Sequence, residues 1–204
     1  MMAAPIMRVL ILLALAACAA CVAHSGPMTI PLRWAPTAAY PIPAASADVL
    51  RTQKLRVESF ADRRDDKAIG KNVERRIHNI EKGDEAWVVS TGDDVAAFLA
   101  DALRMLLARS NIPAAAGDAT RVLRGEVTRF FVTEGERYQG DIVVHFVLED
   151  GSANHLWQGV TEGHVNNFGR SYSPQNYQEA LSNAFAEAVT ALLGSQDFLK
   201  AYGG

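Results

Sequence analysis

Asp62-Arg63-Arg64-Asp65-Asp66-Lys67 is an unbroken run of charge in a 204-residue chain. Carboxylates and guanidiniums this close could bind a cation or an anionic headgroup, and Asp62, Asp65 and Asp66 could share a metal. The run lacks the glycine and distal glutamate of a calcium loop. The alternative is a solvated turn held by local ion pairs worth about 0–1 kcal/mol each. His78, His145, His155 and His164 are dispersed, without the paired spacing that sets two ligands on one helical face. His145 and His164 fall on adjacent predicted strands and could meet across them, although a half-buried structural histidine is the commoner outcome. Glu134 and Glu136 flank a predicted turn, where solvation argues against general acid catalysis.

The serines, Ser110, Ser152, Ser171, Ser173, Ser182 and Ser195 among them, include no Gly-x-Ser-x-Gly elbow, and no phosphate-cradling Gly-x-x-x-x-Gly-Lys run occurs. The expectation is therefore a non-enzymatic protein with no catalytic residue, metal or cofactor. Aromatic residues are the better candidates for binding. Trp87, Phe130, Phe131, Tyr138 and Trp157 would make a contact surface on a sheet face without helices, with core packing as the alternative for at least three of them. Phe168, Arg170 and Tyr172, in the polar and aromatic stretch before the last predicted helix, join Asp62, Arg63 and Arg64 as candidate partner-binding residues.

The two cysteines, Cys18 and Cys21, both lie near the N-terminus. Arg8 precedes an apolar run over residues 9–17 that ends in Leu15-Ala16-Ala17 directly before Cys18. Charged, apolar and small-residue segments in that order read as a secretory signal, and the run is shorter than the roughly 20 residues that span a bilayer. Leu-Ala-Ala-Cys resembles the lipobox at which a bacterial lipoprotein is acylated and cleaved, which would make Cys18 the first mature residue. Cys21 is the competing site, and an ordinary signal peptide with an incidental cysteine is the bland alternative. No cysteine follows, so the folded part has neither disulfide nor thiolate chemistry. Several acyl chains, at about 0.8 kcal/mol per buried CH2, give durable membrane attachment. Ala19, in place of aspartate, suggests delivery to the outer membrane.

The formal charge of −3, with both signs interspersed, indicates no nucleic-acid-binding surface. Residues 1–17 read as signal peptide and 18–47, with Pro27, Pro31, Pro36, Pro41 and Pro43, as the lipidated cysteine and an extended tether. Within the tether Ile30, Leu32, Trp34 and Tyr40 are apolar enough to dock on the domain or a neighbour. Residues 48–204 remain for a single domain.

In that domain Leu55 and Val57 alternate with polar neighbours as a first strand, and residues 61–67 read as loop. Residues 72–83 are ambiguous, and 86–89 read as a short strand. A helix is predicted from about Gly92, with Val95, Phe98, Leu99, Ala102, Leu103 and Leu106 on one face. Three antiparallel strands follow, over 121–132 with a bulge or bend near Gly125, 141–149 and 156–165. Ser173-Pro174 opens a second helix whose stripe of Tyr177, Leu181, Ala184, Phe185, Ala188 and Leu192 ends at Gly194. The sum is an α+β fold: a mostly antiparallel sheet of about four to five strands with two helices packed on one face.

The Leu-Ala-Ala-Cys segment, Arg33-Trp34-Ala35-Pro36, the strand running into Phe60-Ala61-Asp62-Arg63-Arg64 with Ile69-Gly70 behind it, and this element order resemble the YajG-like bacterial lipoproteins. They are similar more loosely to auxiliary lipoproteins of ABC-type transport systems. The resemblance implies a periplasm-facing outer-membrane lipoprotein, an accessory to envelope transport or assembly with a protein partner, and it carries over no catalytic residue. Two other functions stay open: an activator of a peptidoglycan synthase, and a lipid- or glycan-binding carrier, which would need a sizeable apolar cavity.

Overall fold

The computed structural model describes residues 26–79, 83–112, 114–115, 117–169 and 172–204. The predicted meander forms its centre as β6 Arg121–Glu134, β7 Tyr138–Asp150 and β8 His155–Asn167. Period-two alternation along β7 buries Tyr138, Ile142, Val144, Phe146 and Leu148 and leaves Val143, His145 and Val147 half-buried on the opposite face.

The other edge of β6 is filled by one broken parallel strand rather than an antiparallel neighbour. Β2 Leu55–Val57 pairs with residues 121–123, β3 Ala61–Asp62 with 126–127, and the start of β4 Gly70–Asn79 with 132–134. The charged run leaves this broken strand after Asp62 and rejoins it at Gly70. Β4 then pairs antiparallel with β5 Gly83–Ser90, and β1 Met28–Thr29 adds in parallel to β5. The result is an eight-stranded mixed sheet in the order β1-β5-β4-β6-β7-β8, with β2 and β3 also on β6.

Among the described residues four helices accompany it: α1 Ala44–Leu50, α2 Val95–Arg109, α3 Pro174–Gly194 and α4 Gln196–Gly203. The α+β class stands, but the expectation of four to five mostly antiparallel strands with two helices is overturned. Β1 and β3 are two residues long and carry no periodicity of their own, and β2, whose alternation is legible, has only three residues; each takes its ladder from a distant partner. Helices α1 and α4, of seven and eight residues, are too short to stand alone in water and pack on one another. Tyr202 Oη donates to Leu50 O across that contact at 3.0 Å.

Helix α2 begins at Val95 rather than near Gly92, because Asp94 is the cap: its carboxylate accepts from Ala97 N at 3.0 Å. Asn111, at φ 54°, ends it in the left-handed turn that asparagine tolerates. The bend expected near Gly125 falls instead at Thr128, the extra residue between Val127 and Arg129 in the β6–β7 register. At Gly125 a side chain would strike the Phe60 ring at 2.8 Å, so that glycine admits an aromatic ring rather than a bulge.

Helix α3 carries the predicted stripe, all of it buried, and lies across β6, β7 and β8. Its approach is close: a Cβ on Gly163 would come within 1.8 Å of Ala184 O. Phe185 packs edge-on against Phe60 and Trp34, with ring centroids 6.5 and 6.2 Å apart.

Residues 30–38 lie against the body. Met28 and Ile30 are buried, and Leu32 and Trp34 pack on the core. Gln178 Nε2 donates to Pro31 O at 2.8 Å, Ala35 N to Ser182 Oγ at 3.0 Å and Thr37 N to Asn183 Oδ1 at 2.9 Å. Asn183 Nδ2 closes the clasp on Thr37 Oγ1 at 2.8 Å. Tyr172 Oη donates to Gly26 O at 3.0 Å.

Candidate functional site

All but one of the described residues in the charged run remain at the surface. Arg64 is drawn inward, 7% exposed, because each of its three guanidinium nitrogens finds a partner. Nε and Nη2 donate to the two Asp62 oxygens at 3.0 and 2.9 Å, Nη1 to Ala68 O at 3.3 Å, and the group lies 5.8 Å above the Phe130 ring. Lys67 Nζ adds a contact to Asp62 at 3.2 Å. Hydrogen bonding from Arg64 holds the Asp62 carboxyl down to about 2. The pair therefore staples the excursion between β3 and β4, while Arg63 stays exposed, 3.9 Å from Glu126.

Beside this staple, at the Thr128 bulge, is an open cleft of about 340 Å³ lined by Asp65, Asp66, Lys71, Thr128, Arg129 and Phe131 among others. It gives onto the face of β6, β7 and β8 opposite α3. Across that face Arg124 reaches Glu149 and Arg129 reaches Asp141, both at 3.1 Å. His164 Nδ1 lies 2.9 Å from Asp141 and Nε2 3.1 Å from Glu162, and these hydrogen bonds raise its pKa. The three do not form a metal-holding group. The Arg129 guanidinium sits 5.7 Å above Phe131. Among these charges run Val143, His145, Val147 and Val160, the last 60% exposed. His145 pairs with Val160 and His164 with Asp141, so the two histidines share the face four residues apart and do not meet.

Of the five aromatic candidates, Phe130 and Tyr138 are core, Trp87 and Trp157 pack half-buried against it, and Phe131 alone stands on the open face. Phe168 is 68% exposed. Tyr172 is buried against Trp87, at 5.5 Å, and Tyr177, at 6.2 Å, so its described role is to hold residue 26. Cys18 and Arg170 lie outside the described residues.

Glu134 is not a solvated turn residue. It is 5% exposed and accepts from Tyr138 Oη and, at 2.8 Å, from Tyr177 Oη. Burial first, and the Glu134 carboxylate second, push both phenols up. Sequence reasoning also missed the clasp of Gln178, Ser182 and Asn183. Its signal was present, since Gln178, Ser182 and Asn183 are buried polar residues on one side of α3, and buried polar groups call for polar partners.

No family model matches the chain, and no curated protein matches it. Solved structures do resemble it. A Xanthomonas campestris protein of the DUF330 family superposes with a TM-score of 0.48 at 14% identity, over 81% of this chain and 94% of its own. A Caulobacter crescentus protein assigned as a lipoprotein gives 0.48 at 14%, over 79% and 98%. The PelC dodecamer subunit of Paraburkholderia phytofirmans gives 0.41 at 16%, over 67% and 85%. Likenesses at this level leave function to be argued from the chain itself.

Proposed function

We propose that this chain is a lipid-anchored, non-enzymatic binding component of the bacterial envelope. It is held at the outer membrane by acyl chains on Cys18 and presents the open face of β6, β7 and β8 to a protein partner of a transport or assembly complex. The open face carries the reading: helix α3 covers one side of the meander, while the other displays Phe131, Val143, Val147 and Val160 within a frame of ion pairs. An apolar strip ringed by charge is the anatomy of a non-obligate interface. Leu15-Ala16-Ala17 before Cys18 and the resemblance to YajG-like lipoproteins support the anchor. Among the described residues no helix is long and apolar enough to cross a membrane, so attachment by lipid needs no competing span.

Intact mass of membrane-fraction protein, compared with Cys18→Ala, tests the anchor: an acyl mass on the wild type that the variant lacks is the expected result. Affinity purification from solubilised membranes tests the face. Val160→Asp is expected to lose a partner that wild type recovers, with an unchanged melting temperature; no partner above background with either protein would remove the reading.

A further inference from the structure

We infer that the end of the domain from which residue 26 emerges rests on the lipid surface, with the Phe168 ring set at the boundary between headgroups and acyl chains. The inference rests on acylation of Cys18. Between Cys18 and Gly26 the chain advances eight residues, which extend to at most about 29 Å. Strand β7 alone, 13 residues from Tyr138 to Asp150, is roughly 40 Å long. A molecule turned with its Asp150 end toward the bilayer would place Gly26 beyond the reach of its tether. Of the two upright orientations, only the one with the Gly26 end toward the bilayer lies within reach, and the exposed Phe168 at that end favours it.

Tyr172 Oη fixes Gly26 there at 3.0 Å. The Tyr172 ring touches Tyr177, which is bonded to Glu134 at the last position of β6. The β6–β7 turn and the end of β8 meet at this same end, through Tyr138 opposite Asn167, and Phe168 follows directly. At 68% it is the most exposed large apolar side chain among the described residues. An aromatic ring at this depth favours the lipid boundary, and its transfer from water contributes roughly tenfold or more to local partitioning.

The test uses full-length acylated protein with Cys21→Ala and a fluorophore on Phe168→Cys, Val160→Cys or Ser152→Cys. Each is reconstituted into phosphatidylethanolamine–phosphatidylglycerol vesicles containing a nitroxide lipid. The expected result is loss of emission at 168, a smaller loss at 160 and none at 152, in the turn at the far end. A probe at 168 that stays unquenched by the nitroxide lipid, or stronger quenching at 152 or 160, overturns the inference. So does protection of 168 that appears only in native membranes and without lipid quenching, which would assign the contact to a protein. Intact mass of the same samples separates the two readings. Acylated protein with a water-exposed 168 sinks this inference alone, whereas protein without the acyl mass sinks the anchor as well.

Discussion

Arg64 shows how a charged residue becomes structural. Its guanidinium is buried, so its cost depends on the carboxylate that meets its Nε–Nη2 edge, and Asp62 supplies it in bidentate geometry. Asp62 has a lower pKa folded, about 2, than its unfolded value near 4. The stability it contributes is thus fully present above about pH 4 and is lost as pH falls through 2. Asp62→Asn is expected to cost about 2 kcal/mol at neutral pH. Urea titrations should show its deficit against wild type shrinking between pH 4 and 2; a deficit of constant size would show that the charge of Asp62 is immaterial. His164 runs the other way. Its folded pKa is raised by Asp141 and then Glu162, so its contribution is present below about 6.5 and fades as pH rises through the raised value. An NMR titration should place His164 above 6.5 in wild type and nearer 6.5 in Asp141→Asn. A midpoint at or below 6.5 in wild type would mean that the cross-strand cluster does not form in solution. Local ion pairing of Asp62 was legible in the charged run, but neither the burial of Arg64 nor the cross-strand partners of His164 were.

At the scale of elements, the decisive contact is α3 on the meander. Glycine at 163 lets the helix backbone approach to a distance no side chain permits, with Ala184 O 1.8 Å from where a Cβ would sit. Gly163→Ala must push the helix off the sheet and is expected to cost about 3 kcal/mol or more. Gly92→Ala, where nothing lies within 4 Å, should stay within about 0.5 kcal/mol. Denaturation midpoints of the two variants compare them directly, and equal effects would refute the close approach. These elements are also where sequence reading succeeded, because β7 and α3 are long and write period two and period 3.6 cleanly, and Asp150-Gly151 marks the hairpin into β8. It succeeded at β2 but failed at β3 and at the start of β4, where pairing with β6 makes strand of residues that read alone as a loop and an ambiguous stretch. Glu134 was misread for a related reason: it continues the buried face of β6, and one of the two phenols that satisfy it belongs to Tyr177, 43 residues away.

For the whole molecule, the question is whether the N-terminal segment is a strap laid on a finished domain or part of its core. Its contacts span nearly the full chain: Thr37 to Asn183, 146 residues apart, and Pro31 to Gln178, 147 apart. Local periodicity cannot report such pairs: the sequence offered Ile30, Leu32 and Trp34 as side chains able to dock, but not the α3 residues that clasp the backbone beside them. Trp34 settles the energetics, since its ring packs 6.4 Å from Phe98 on α2 and 6.2 Å from Phe185 on α3. Peeling the segment away would expose both helices along the seam where they meet, a loss comparable to a large-to-small core substitution of about 3 kcal/mol or more. That is a sizeable share of the 5–15 kcal/mol that holds a typical domain, so the segment and the body should unfold together. With Trp87→Phe and Trp157→Phe leaving Trp34 as the sole indole, its fluorescence and the far-ultraviolet circular dichroism are expected to follow one urea transition with a common midpoint. A Trp34 transition at lower urea would make the segment a separable strap, and the tether's reach would then be counted from beyond residue 38 instead of from Gly26. The orientation of the domain on the membrane and the cooperativity of its unfolding are thus consequences of the same clasp.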